Sequence, residues 1–190
     1  QNEPFVMESA PAHTGVEVGG NVIRYPLADG MNLDYTVQST GVKQNLVLRE
    51  APIIPEHINY FGLSEAMVLP VGYALYSGET LVGEEILTTQ APLHIRNVET
   101  GELLAEIPAP VVVESGDAEP YTGTFVVRAN GPSILLVTLV ETDWLLSEDR
   151  VYPLAIDPTI NVDSASGGYC YIYSASCYTG TSRYHSTQSW

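Results

Sequence analysis

The stretch GTFVVRANGPSILLVTLV, residues 123–140, sets two β-prone runs on either side of Asn130-Gly131-Pro132. Asn and Gly tolerate positive φ and Pro presets a turn, so adjacent runs punctuated in this way are expected to fold back as hairpins. The second run, SILLVTLV, is continuously apolar. Strands of that kind are usually buried on both faces, which places this one centrally in a sandwich or beneath a second layer.

Working outward, similar short runs recur along the chain: NVIRY, LDYTVQS, KQNLVLRE, INYFGL, GYALYS, EEILTT, LHIRNV, ELLAEIP, PVVVES and VYPLAI. They are separated by turn signals such as Ala28-Asp29-Gly30, Ser39-Thr40-Gly41, Ser77-Gly78-Glu79 and Glu99-Thr100-Gly101. Many short strands at this spacing predict an all-β chain, an antiparallel β-sandwich-like domain. In NVIRYPL and LDYTVQS every second residue is apolar, so those strands should bury one face and wet the other. At most one short helical turn is expected, in ETDWLLSED at residues 141–149, with Thr142 or Asp143 as its cap and Trp144 with Leu145 plugging a sheet end.

The run VYPLAIDPTI, residues 151–160, reads as the last strand of the domain. Tyr152, Leu154 and Ile156 point one way, and Pro153 suits an edge or first-strand position that need not donate a ladder bond. Pro158 then ends the strand and marks a hinge. After Ile160 the chain turns rich in Ser, Gly, Thr and Tyr. The organisation is therefore an N-terminal extension over residues 1–18, a β-rich domain over 19–160, and a Ser/Gly/Tyr-rich segment over 161–190. That last segment is expected to be a linker and the start of a following module, or an exchanged strand, because thirty such residues cannot bury a core alone.

The chain has 190 residues, with 7 Lys+Arg against 23 Asp+Glu and a formal net charge of -16. Phosphate backbones and anionic lipid headgroups are repelled by such a surface, so nucleic acid is excluded as a partner on electrostatic grounds. No apolar run reaches the length of a spanning helix, and no membrane span is expected. The start, QNEPFVMESAPAH, lacks an initiator Met and a signal-peptide pattern, as in a processed chain or a piece excised from a longer one.

Catalytic constellations are missing. His13, His57, His94 and His185 are scattered without metal-ligand spacing, and no nucleophile elbow, zinc-protease motif or phosphate loop occurs. Asp117 with Glu119, and Glu141 with Asp143, are the local carboxylate pairs that a glycosidase could use, but neighbouring acids arise by chance in so acidic a chain. No organic cofactor is implied.

Calcium is the ion that the oxygen-rich segment Asp157, Asn161 and Asp163 would suit; a solvated turn is the plainer reading of the same residues. Cys170 and Cys177 are spaced for a structural disulfide in an oxidising compartment, with two free thiols as the alternative. Tyr169, Tyr171 and Tyr173 share one face of a strand, either as an aromatic stripe that stacks sugars or docks a partner, or as the core face of the next module.

Four motifs occur in order: Asn32-Leu33-Asp34-Tyr35-Thr36-Val37, Gly41-Val42-Lys43, Ile107-Pro108-Ala109-Pro110, and the closing Tyr152-Pro153 with Ile156-Asp157-Pro158-Thr159. Together they resemble a β-rich region of large secreted bacterial and archaeal surface proteins, including Rhs/YD-repeat and cell-wall-associated proteins. There the region stands before DNRLRE-type or YD-repeat modules. The resemblance covers residues 19–160, apart from the stretch 51–93, and carries over no catalytic residues. It implies a noncatalytic module of the cell surface, outside the cell, used for attachment, contact with other cells or carriage of an effector.

The expected function is accordingly a structural and interaction module of a larger secreted protein, joining other modules of the same polypeptide or identical copies through β-edges and so building a filament. An adhesin module that binds a surface glycan or protein is the alternative, and a secreted hydrolase a second one.

Overall fold

The computed structural model describes residues 4–8, 16–28, 30–38, 41–116, 118–157, 160–162, 170–173 and 176–179. In chain order its strands are β1 (Phe5–Glu8), β2 (Val16–Gly19), β3 (Val22–Ala28), β4 (Met31–Gln38), β5 (Gly41–Leu48), β6 (Tyr60–Val68), β7 (Tyr73–Ser77), β8 (Thr80–Leu81), β9 (Leu87–Thr89) and β10 (Leu93–Asn97). They continue as β11 (Leu103–Ile107), β12 (Val111–Glu114), β13 (Tyr121–Thr122), β14 (Thr124–Asn130) and β15 (Ser133–Glu141). A single helical turn, α1 (Thr142–Leu145), precedes β16 (Leu154–Asp157), β17 (Ile160–Val162), β18 (Cys170–Tyr173) and β19 (Ser176–Thr179). The chain is all-β and sandwich-like, as its turn-punctuated apolar runs predict.

The β14–β15 hairpin turns at Asn130-Gly131-Pro132, where Gly131 takes φ +57, a left-handed conformation that costs glycine little. β15 lies between β14 and β6, inside a 7-stranded sheet, but it is not buried on both faces along its length: Ile134 and Leu136 are buried while Leu135 and Val137 on the other face are half-buried. A 12-stranded sheet faces it. That second sheet forks at β5: its first strand-side pairs with β4, and its other side pairs with β16 at Leu46–Leu48 and with β17 at Val42 and Gly41. From β16 one branch continues to β12 and β13; from β17 the other continues through β11, β10, β7 and β8.

Each branch covers one core. Leu75, Leu93, Ile95, Leu104 and Ile107 pack on Phe125, Val127, Ile134 and Leu136 in the first. Leu33, Leu46, Leu48, Val112, Leu154 and Ile156 pack on Phe61, Leu63 and Val140 in the second, which Leu145 of α1 closes. β6 and β15, each nine residues long, run through both and tie them together.

Two local expectations are corrected. β16 is not an edge strand, since it pairs with β12 on one side and β5 on the other. Its partners come from distant parts of the chain, which no local pattern announces. Pro153 sits just before the strand, where a missing N–H costs no ladder bond. The helical turn is also not capped by Thr142 or Asp143: Glu141 is the N-cap and makes no side-chain cap bond. Thr142 is drawn instead to the preceding loop, its Oγ1 donating to the Ile58 carbonyl at 2.7 Å and its N–H to that of Asn59 at 2.9 Å.

The segment after α1 is held by a stack. The Tyr121 and Trp144 rings lie 4.2 Å apart at 22°, and the Arg150 guanidinium sits 4.5 Å from the Trp144 ring centre. Arg150 also pairs with the buried Glu114, whose Oε2 accepts the Val151 N–H at 2.9 Å. The Tyr152 hydroxyl donates to the Leu145 carbonyl at 2.8 Å. Tyr152→Phe should therefore lower the unfolding free energy in urea by about 1 kcal/mol; an unchanged denaturation midpoint would show that this bond contributes nothing.

Candidate functional site

The boundary between the two cores is where the interior turns polar. Along β6 the inward residues are Phe61, Leu63, Glu65 and Met67, so an acid occupies a position whose phase is otherwise apolar. Thr138 of β15, directly opposite Leu63, has no exposure, and its Oγ1 has no hydrogen-bond partner among the described residues. From the facing sheet, Tyr35 of β4 and Gln44 of β5 form a cross-strand pair on the inner face.

Burial pushes the Glu65 carboxyl up to about 7, with Gln44 pulling the other way. Gln44 is 7% exposed and its Nε2 has no hydrogen-bond partner among the described residues; desolvation is the larger of the two effects and decides the direction. The Tyr35 phenol is raised above its usual range, first by burial and then by Glu65 and Tyr25. Tyr25 meets Tyr35 edge-on, with ring centres 5.7 Å apart at 89°. A carboxyl that titrates near neutrality is suited to proton transfer. Among the described residues, however, no group of three or more His, Cys, Asp or Glu side chains gathers that could hold a metal ion.

The outer face of β3, β4 and β5 carries ion pairs. Arg24 holds both Asp34 oxygens, at 2.7 and 2.6 Å. Asp157, expected as an ion ligand, lies at the end of β16 with its Oδ2 2.7 Å from Lys43 Nζ. Asn161 lies in β17, its backbone paired with Gly41 and Glu106; Asp163 and Tyr169 lie outside the described residues, as does the side chain of Asn161. Tyr171, Tyr173, Cys170 and Cys177 belong to the β18–β19 hairpin, where Cys170 is opposite Thr179 and Cys177 opposite Ile172. Their side chains also fall outside the described residues.

Of the histidines, His57 is exposed. His94 is opposite Glu106 across β10 and β11, with Nε2 3.5 Å from its carboxylate and a buried Nδ1 that has no partner among the described residues. His13, His185 and Asp117 lie outside the described residues. Glu119, Glu141 and Asp143 are exposed. The groups that sequence reading missed are Glu65 and the Glu114–Arg150 pair. The signal for Glu65 was present in YFGLSEAMV, an acid in phase with Phe61, Leu63 and Met67.

The remaining feature is an edge. On the side of β6 away from β15, β1 pairs in parallel, with Phe5, Val6, Met7 and Glu8 opposite Phe61, Gly62, Leu63 and Ser64. Further along the same side, β19 pairs in parallel where Ser176 meets Val68. Between them, Glu65, Ala66 and Met67 have no strand partner on that side among the described residues. A row of backbone donors and acceptors of this kind is a template for an added strand.

Fold and edge together define a β-sandwich-like domain that takes peripheral strands onto one face-spanning strand. No protein-family model, curated protein or solved structure matches this chain.

Proposed function

We propose that this chain is a noncatalytic structural and interaction module of a larger secreted surface protein, joined to adjoining modules or identical copies by strand addition. The observation that supports this most directly is the β6 edge. Segments near both chain ends add to it in parallel, over Phe5–Glu8 and at Ser176. Strand addition supplies main-chain hydrogen bonds without requiring a deep pocket. The net charge of -16 keeps separate copies soluble, and it makes their association dependent on salt. A Cys170–Cys177 disulfide, an extracellular location and the resemblance to β-rich regions of secreted surface proteins belong to the same reading.

Molar mass measured by light scattering across a range of protein and salt concentrations tests it. Mass should rise with concentration, and more steeply as salt screens the acidic surface. A fixed monomer mass under all conditions would remove self-assembly from the proposal.

A further inference from the structure

We infer that the partner at the β6 edge is β1 of a second copy, so that Phe5–Glu8 of one molecule adds to Phe61–Ser64 of the next. The inference rests on the self-assembly reading above and names its contact.

Among the described residues β1 pairs with β6 alone, while the next strand, β2, pairs only with β3 in the facing sheet. The ladder that holds β1 is therefore isolated from the strands that follow it. Residues 9–15 join β1 to β2, and seven extended residues reach at most about 25 Å. Exchange retains the same register and the same backbone bonds, so the closed and exchanged forms differ mainly in association entropy and in charge repulsion between copies.

Parallel neighbours within one chain usually arise from a crossover that packs against the sheet. Here the intervening strands β2–β5 lie in the facing sheet, where Leu33, Leu46 and Leu48 pack on Phe61 and Leu63, so the connection is anchored at its β6 end. On the same side of β6 as β1, no strand among the described residues pairs with Glu65–Met67, so the acceptor edge continues beyond the β1 position.

The test uses the full chain in two arms. The double variant Val6→Pro/Met7→Pro removes a backbone donor from β1 whichever of the two N–H groups points toward β6, and it leaves β6 untouched. It should weaken assembly roughly tenfold or more, read as a shift in the concentration of half-assembly by light scattering. In the second arm a synthetic peptide of residues 1–12 is added in excess to the unmodified chain. It should convert assemblies into monomers carrying one peptide.

Assembly that survives either arm overturns the exchange of β1 while leaving self-assembly through another edge standing. A chain that is monomeric at every concentration and salt overturns both. If the double variant does not fold, the peptide arm decides alone.

Discussion

Gly62→Ala is expected to cost more than about 3 kcal/mol of stability, the upper end of what overpacking does, and so to leave a marginal domain largely unfolded at ambient temperature. A Cβ built on Gly62 lands on the Thr138 carbonyl oxygen, well inside contact distance, and 2.9 Å from Leu139 Cδ2. The first obstacle is backbone in the middle of the β6–β15 ladder, where Gly62 is opposite Leu139. Neither strand can retreat without loosening both cores. Gly83→Ala is the control, because nothing lies within 4 Å of its added Cβ and its φ is not in the left-handed region. Its urea midpoint should stay near that of the parent chain. Equal midpoints for Gly62→Ala and the parent would show that the strands separate cheaply at this point.

The second large effect is the pH dependence that Glu65 imposes. Its folded pKa of about 7 exceeds the ordinary 4.5. The folded state therefore holds the proton more tightly than the unfolded state does. The contribution is fully favourable below the unfolded pKa and is lost as pH rises through the folded one. Between about pH 4.5 and 7.5, ionisation of Glu65 should remove on the order of 2–3 kcal/mol. Repulsion among the other carboxylates also grows over this range, so the comparison must isolate one group. Glu65→Gln should abolish this part of the pH dependence and make the protein more stable than the parent at pH 8, with little difference at pH 4.5. Parallel stability curves for parent and variant would show that the carboxyl stays hydrated between the sheets.

The architecture was legible wherever the signal is local. Residues 123–140 announced a hairpin and a central strand, and β14 and β15 form both. The helical turn was found from its four residues, although its caps were not, because Thr142 is claimed by the Ile58 and Asn59 carbonyls more than eighty positions away. The placement of β16 failed for the same reason: Leu46–Leu48 and Val111–Glu114 make it an interior strand, and neither is near it in sequence. Short strands such as β8 and β13, two residues each, carry too few side chains for an alternation to register. Glu65 was overlooked although its phase along β6 exposes it as the acid among inward apolar residues. Its carboxyl is raised by burial, against a lowering by Gln44, and only the packing of two sheets supplies either.

The fork at β5 also orders events on the ribosome. Every buried residue of the first core lies between Leu69 and Leu136, so that core has all its members once Leu136 has emerged. The second joins Leu33, Leu46 and Leu48 to Leu154 and Ile156. β4 and β5 thus receive their last core neighbours more than a hundred residues later, once Leu154 and Ile156 have emerged. Until then β5 has an open flank, and this part of the nascent chain depends on the net negative charge around it to stay apart from other chains.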